Sequence, residues 1–429
     1  MTGKYVLTSR IGIVMLLAAL AFAGGVAALP PSGAPTDAGE VGLSIADDGR
    51  QVTLTEDQVL VVRLEASPAS GYSWELDGIN PAVLVQSDLD GPQYEAVSSE
   101  PGATVVRVLR FRGVGTGSDT VTLVYRRPWQ RAAPPAGTFR VHVECSGPFT
   151  GANIPTSTAT ASPTSISVSP NASQSTFDLT GQALASHYNW CERGGCTPIK
   201  DQLQCGSCWA FATVGVLELA IKIRDSVTID LSEQYLISCN TEGWGCRGGF
   251  WAHDYHGNRV PPGEPAAGAV YEGDFAYQAA DVACNAPHTH NERISSWSYV
   301  SGWGVPTVTA IKQAIQDNGP VAAGVCVGDA FLNYGGGVFR TDESSACPYG
   351  SNHGVVLVGW DDGEGVWYLR NSWGPAWGEN GYMRIAYGTS FVGTDATYVV
   401  YGETAPAAPT ATPRLAGPVT NVYLPLVIR

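Results

Sequence analysis

In the run Gln202-Leu203-Gln204-Cys205-Gly206-Ser207-Cys208-Trp209-Ala210-Phe211, two cysteines stand three positions apart. A Cys-x-x-Cys pair can do three kinds of chemistry. It can be half of a zinc site, which needs a second pair that this sequence lacks. It can be a dithiol redox centre, which needs a βαβ frame that the flanking sequence does not offer. Or one cysteine can be a nucleophile at the start of a helix while the other is tied elsewhere. The third reading fits the residues that follow. From Cys208 to Arg224, apolar residues (Trp209, Phe211, Val214, Val216, Leu217, Leu219, Ile221, Ile223) cover most of a helical circumference, the pattern of a helix buried on most sides. A helix N-terminus supplies partial positive charge. A thiol needs such a field, or a neighbouring cation, to become the thiolate that attacks a carbonyl.

Further motifs follow in order: Leu231-Ser232-Glu233-Gln234, Gly245-Cys246-Arg247-Gly248-Gly249, Asn352-His353-Gly354, Asn371-Ser372-Trp373-Gly374 and Trp377-Gly378-Glu379-Asn380-Gly381-Tyr382. Together with Cys-Gly-Ser-Cys-Trp, this series resembles the papain family of cysteine peptidases over about residues 185–388. His353 and Asn371 follow Cys208 by 145 and 163 residues. Alone, a buried cysteine is inert core and a lone histidine is a satisfied polar residue; the order of the motifs singles these out.

The resemblance implies a cysteine endopeptidase with Cys208, His353 and Asn371 as its triad, acting on protein or peptide substrates without cofactor or metal. His353 would take the thiol proton and later protonate the leaving amine. Asn371 would orient the imidazole, and Trp373 would cover that bond. Gln202 would donate its amide to the oxyanion beside the Cys208 N–H. Gly248 and Gly249 would pair with the substrate main chain, and Phe250, Gly324 and Ser351 would line an apolar pocket. It also implies the disulfides Cys205–Cys246 and Cys239–Cys284. Cys191 and Cys196 are close enough in sequence to close a small loop. Cys347 lacks its usual family partner, which leaves Cys326 as the substitute and Cys145 unpaired. The other histidines (His142, His187, His253, His256, His288, His290) stand in no metal-ligand company in the sequence. Gly113, Gly115 and Gly117 read as a hairpin turn, since no helix follows them.

These residues need a frame. The 429 residues include 51 Gly and 28 Pro but only 15% charged residues, a turn-rich and largely β balance. A net charge of -15 argues against nucleic acid as a partner. Residues 1–28 read as a signal peptide: Lys4 and Arg10 precede an uncharged stretch. The alternative is a permanent anchor, since the stretch of about 18 residues lies near the lower limit for spanning a membrane. An exported chain with ten cysteines is expected to hold disulfides and to be secreted or at the cell surface. Residues 38–145 read as strands, notably Val59–Leu64, Thr104–Phe111, Thr120–Tyr125 and Phe139–Val143, and so as an all-β domain. A Ser/Thr/Pro linker covers 146–176, with a sequon at Asn171. An α+β domain covers 177–403, helical first and β-rich after Gly319, with a cleft between two lobes. Residues 404–429 form a second linker and a short apolar tail that could attach the chain to a surface.

The first domain stands where papain relatives carry a helical prosegment. It resembles chagasin, an immunoglobulin-like sandwich that inhibits this peptidase class. The resemblance rests on Ser67-Pro68-Ala69-Ser70-Gly71-Tyr72-Ser73-Trp74 and on Arg127-Pro128-Trp129. It implies that loops bearing Gly71, Tyr72, Trp74, Arg127, Pro128 and Trp129 wedge into the cleft. A third, glycine-rich loop falls near Pro101-Gly102-Ala103 and matches poorly. A flexible tether of about 40 residues has a span of roughly 35 Å, enough for docking in cis. The competing expectation is a catalytically silent scaffold that uses both domains as binding modules.

Overall fold

The computed structural model describes residues 39–87, 94–96, 98, 100–149 and 184–402. The expected signal peptide, the sequon, the linker beyond Phe149 and the C-terminal tail lie outside the described residues.

Nine strands build the first part: β1 (Glu40–Leu43), β2 (Gln51–Leu54), β3 (Val59–Ala66), β4 (Ser73–Gly78), β5 (Leu84–Gln86), β6 (Tyr94–Ala96), β7 (Val105–Gly113), β8 (Gly117–Arg126) and β9 (Gly137–Cys145). They form two sheets. One runs β1-β3-β7-β5 with β6 also on β7, and the other runs β2-β9-β8-β4. Alternation drives this arrangement: β9 shows buried Phe139, Val141, Val143 and Cys145 between exposed neighbours. Inward side chains of both sheets, among them Leu64, Phe111, Leu123 and Phe139, meet in one core. The turn at Gly113–Gly117 corrects an expectation. It is no hairpin, because β7 and β8 belong to different sheets. Gly115 lets the chain cross there, since a Cβ would lie 2.2 Å from the Ala82 carbonyl. Trp74 is a second correction. It sits in this core, with Nε1 donating to Glu65 O at 2.8 Å, not on the outer surface.

The second part holds β10 (His187–Asn189), α1 (Cys208–Asp225), α2 (Glu233–Cys239), α3 (His253–Gly257), β11 (Ile294–Tyr299), α4 (Val308–Asn318), β12 (Val321–Val325), α5 (Asp329–Leu332), β13 (Val338–Phe339), β14 (His353–Asp361), β15 (Val366–Arg370), β16 (Tyr382–Ala386) and β17 (Thr394–Tyr401). The eight-stranded sheet runs β11-β17-β12-β14-β15-β16-β13, with β10 also on β14. The α1 helix is buried from Cys208 through Ile221, as its all-round apolar pattern predicts. Two cores flank it. One gathers α1, α2 and the loops to Ile294; the other gathers the β-rich half around Trp360, Trp367 and Trp377. The division at Gly319 is not strict: strand β11 precedes it, and the short helix α5 falls after it, where strands were expected.

One polar cluster ties α1 to its surroundings. Lys200 Nζ meets Glu218 (2.7 Å), Asp230 (2.6 Å) and Glu233 (2.9 Å), and Glu218 also accepts from the Leu231 N–H. Buried carboxylates are tolerated only when so paired. Four disulfides close the fold: Cys191–Cys196, Cys205–Cys246, Cys239–Cys284 and Cys326–Cys347. These are the pairs that the sequence implied, and Cys145 and Cys208 are the free cysteines.

Leu217 is fully buried on α1, so Leu217→Ala is expected to cost about 2–5 kcal/mol in urea melts of the full chain. A loss under about 1 kcal/mol would mean that α1 is not the packed axis described.

Candidate active site

Strand register explains why His353 and Asn371, 18 residues apart, come together. His353 opens β14, Asn371 follows directly after β15, and the two strands are antiparallel neighbours with Val356 opposite Arg370. His353 Nε2 lies 2.8 Å from Asn371 Oδ1. Trp373 lies over the imidazole, ring centroids 4.9 Å apart. Cys208, the first residue of α1, reaches the same point, since a Cβ on Gly354, the residue after His353, would lie 3.1 Å from Cys208 O. His353 Nδ1 has no hydrogen-bond partner of its own. Gln202 is fully buried. Its Oε1 accepts from Ser372 Oγ at 2.6 Å and its Nε2 donates to Cys205 O at 2.8 Å.

The expected subsite residues fall in two groups, Gly248–Phe250 in the loop after Cys246 and Gly324 on β12 with Ser351 just before β14. Gly249 presents its N–H outward, while Gly248 closes a local bridge with Gly245. Phe250 leans edge-on against Trp244 at 6.0 Å. Gly324 and Ser351 are neighbours, since a Cβ on Gly324 would meet Ser351 Oγ at 2.4 Å.

The first part of the chain covers this site. Residues Glu100–Ala103 make a tight turn closed by Ala103 N donating to Glu100 O at 3.0 Å, with Gly102 at φ +88. Proline then glycine is the pair such a turn prefers. Gly249 N donates to Pro101 O (3.1 Å) and Gly102 N donates to Asn352 O (2.8 Å). A Cβ on Gly102 would lie 2.0 Å from Gly206 O and 3.3 Å from Cys208 Sγ. The loop that matched its family worst thus reaches deepest.

The two better-matched loops sit beside it. Trp373 Nε1 donates to Ala69 O at 2.8 Å, and Trp129 stacks on Trp373 at 5.5 Å. Gly71 (φ +81) fits beneath Trp129, where a Cβ would meet Cη2 at 2.5 Å. Arg127, 1% exposed, reaches Asp201 (2.9 and 2.8 Å), Ser70 O and Leu203 O. Its guanidinium lies over Tyr72 at 5.0 Å. Pro128 begins the short 3-10 turn that presents Trp129. A further contact had no signal in the sequence: Asp329 accepts from Tyr94 Oη (2.7 Å) and Arg107 Nη2 (3.0 Å).

Burial sets the electrostatics. Loss of water pushes the Cys208 thiol up to about 12, against three backbone N–H bonds that pull the other way. Loss of water also lowers His353 to about 4, against its bond to Asn371. Thiol and imidazole are therefore both neutral while covered.

One histidine departs from expectation. His288, Glu264, Cys239 and Cys284 offer atoms within 4.8 Å of one another that could hold a metal. The two sulfurs are bonded to each other, and Glu264 accepts from His288 Nδ1, His288 N and His290 Nε2. These donors are spent on one another. His253 and His256 are buried and held neutral, each lowered to about 3 by burial.

Comparison with known sequences fits this geometry. The pattern of papain family cysteine proteases matches residues 184–402, and that of chagasin family peptidase inhibitors matches residues 53–143. A cathepsin L-like proteinase of Phaedon cochleariae is 32% identical over 214 residues, 48% of this chain and 62% of that protein. A senescence-specific cysteine protease, SAG39 of Oryza sativa subsp. indica, is 36% identical over 209 residues, 47% of this chain and 58% of that protein. The chain thus spans about three fifths of the length of these curated relatives. Among solved structures, the proform of the ragweed pollen allergen Amb a 11 cysteine protease is 28% identical, with a TM-score of 0.46, covering 52% of this chain and 67% of that one.

Two outcomes follow from the charges. Thiolate fraction falls tenfold for each unit the thiol pKa rises, so iodoacetamide should label Cys208 in the intact chain at least about a hundredfold more slowly than free cysteine at pH 7.5; labelling at the free rate would contradict the covered state. His353 binds fewer protons folded than unfolded between its ordinary pKa of about 6.5 and about 4. Its contribution to stability is complete above that window and is lost as pH falls through it. His353→Gln should therefore flatten the decline of melting temperature between pH 7 and pH 4, and an unchanged slope would count against it.

Proposed function

The chain belongs to the papain family of cysteine proteases, and from that premise we propose that it is an exported endopeptidase held shut by its own first domain. Cys208 is the nucleophile, His353 the acid and base, Asn371 its orienting partner, and Gln202 with the Cys208 N–H the oxyanion donors. His353 Nδ1 takes the thiol proton as sulfur attacks the peptide carbonyl, then returns it to the leaving amine. Water hydrolyses the resulting thioester. Gly249 and Asn352 O bind substrate main chain, and Phe250, Gly324 and Ser351 shape the neighbouring pocket.

In this reading the first domain is a chagasin-like sandwich and the second is two-lobed, its cleft running past Cys208 and His353. One observation carries the inhibition: the Pro101-Gly102 turn fills the Gly249 N–H and the Asn352 carbonyl with Gly102 against the nucleophile. A substrate needs those same groups. The raised thiol pKa adds a second restraint, since attack on a carbonyl needs the sulfur deprotonated. Four disulfides support an oxidising, extracytoplasmic compartment. Attachment through the C-terminal tail belongs to the same proposal.

The test uses a fluorogenic peptide and the full chain. Gly102→Arg cannot fit against Gly206 O and should raise hydrolysis at least about tenfold. Trp129→Ala and Gly71→Arg should do so more weakly. Cys208→Ala should abolish hydrolysis in every background. Equal activity in the parent and Gly102→Arg chains would remove the inhibitory role, and robust activity without Cys208 would remove the catalytic one.

A further inference from the structure

The segment from Gln202 to Cys208 carries both proposed oxyanion donors, and it is strained. Leu203 holds φ +51, a conformation that persists in a non-glycine residue only where its surroundings enforce it. Three ties are local to the cleft: Gln202 N to Ser372 O at 2.9 Å, Gly206 N to Cys246 O at 2.9 Å, and the Cys205–Cys246 disulfide.

A fourth comes from far along the chain. Tyr277 Oη lies 2.6 Å from Gln202 O and 2.8 Å from Ser207 Oγ. A carbonyl can only accept, so the phenol spends its single proton on Gln202 and the Ser207 hydroxyl donates to the phenol. Ser207 occupies the N-cap of α1, where a serine normally accepts from an N–H of the first turn. Here it makes no cap bond; its hydroxyl is committed to Tyr277. The base of this strut is fixed. The Tyr277 ring meets Phe211 edge-on at 4.9 Å and 90°, Tyr277 N donates to Glu272 Oε1 at 2.7 Å, and Gln278 N donates to Gln234 Oε1 at 2.9 Å. Burial keeps the phenol protonated by raising its pKa.

We propose that Tyr277 is a positioning residue for catalysis, which joins the two ends of the 202–207 loop and so sets the distance between the Gln202 amide and the Cys208 N–H. The inference rests on the peptidase reading above. It assigns the phenol no contact with substrate. Its action runs through the two donors, which matter most when negative charge develops on the carbonyl oxygen.

The experiment takes the full chain carrying Gly102→Arg as parent. Tyr277→Phe keeps the ring and its contact with Phe211 and removes only the strut. The expected result is a fall in kcat of about tenfold or more with KM within about twofold. A peptide aldehyde, whose hemithioacetal oxygen would occupy the oxyanion place, should lose affinity by a similar factor. Alkylation of Cys208 by iodoacetamide needs no oxyanion and should change less than about twofold. With Gln202→Ala already present, Tyr277→Phe should cost little more, since both act on one element. A kcat within twofold of the parent, or an undiminished loss in the Gln202→Ala background, overturns the inference. If Tyr277→Phe does not fold, Ser207→Ala breaks the same chain from its other end and should lower kcat with KM held; an unchanged kcat there overturns it equally. A parent without hydrolysis sinks the peptidase reading itself, and this inference with it.

Discussion

One sulfur atom has to stand at the meeting point of a helix start, a strand start and a strand end, and most of the second domain serves that convergence. The α1 helix cannot slide, because it is buried through Ile221 and its Glu218 is anchored to Lys200. The strands cannot slip, because β14 is buried on both faces and a one-residue shift would exchange the side chains it presents to the two cores. Arg370, beside Asn371, donates to Thr197 O and Pro198 O and so draws the segment leading to Gln202 against the sheet end. Local motifs far apart in sequence thus describe one rigid corner.

The first domain reaches that corner by unequal contacts. Arg127 is an almost wholly buried guanidinium whose fork is filled by a carboxylate and two carbonyls. Removing a partner from a buried charge of this kind costs about 3–5 kcal/mol. Exposed pairs such as Arg63 with Glu95 contribute about 1 kcal/mol or less. Fit between the domains therefore lies in a few desolvated groups, Arg127, Trp129 and the Pro101 turn, rather than in net charge.

Legibility followed the same divide. The long strands of the first domain and the buried helix could be read from side-chain type and spacing, while the four disulfides and the residues gathered around Cys208 were legible mainly through family resemblance. The short α2, α3 and α5 could not, since they are set by capping and tertiary contacts; the Ser232 hydroxyl that accepts from Tyr235 N is one such local cause. Gly113–Gly117 misled because a glycine-rich turn says nothing of which sheet the next strand joins. Trp74 misled because a tryptophan beside a binding loop looks the same whether it faces out or into the core. The Asp329 contact was invisible, as it depends on how two domains meet.

The Pro101-Gly102 turn, placed by the sequence but poorly matched there, is the instructive case. It recognises the cleft through main-chain atoms alone, one carbonyl and one N–H, so its side chains carry almost no information about its partner. What the geometry does demand is the absence of side chains. Gly102 and Gly206 face each other so closely that a Cβ on either would lie about 2 Å from the other's carbonyl oxygen. Two glycines in different domains are therefore coupled by exclusion, and neither can be judged from its own sequence neighbourhood. The turn also differs from a substrate in shape. Ala103 N folds back to Glu100 O, so the chain reverses instead of crossing the cleft. In the proposed reading, a turn that occupies the substrate's hydrogen-bonding groups without running through the site blocks it and gives the nucleophile no extended bond to cut.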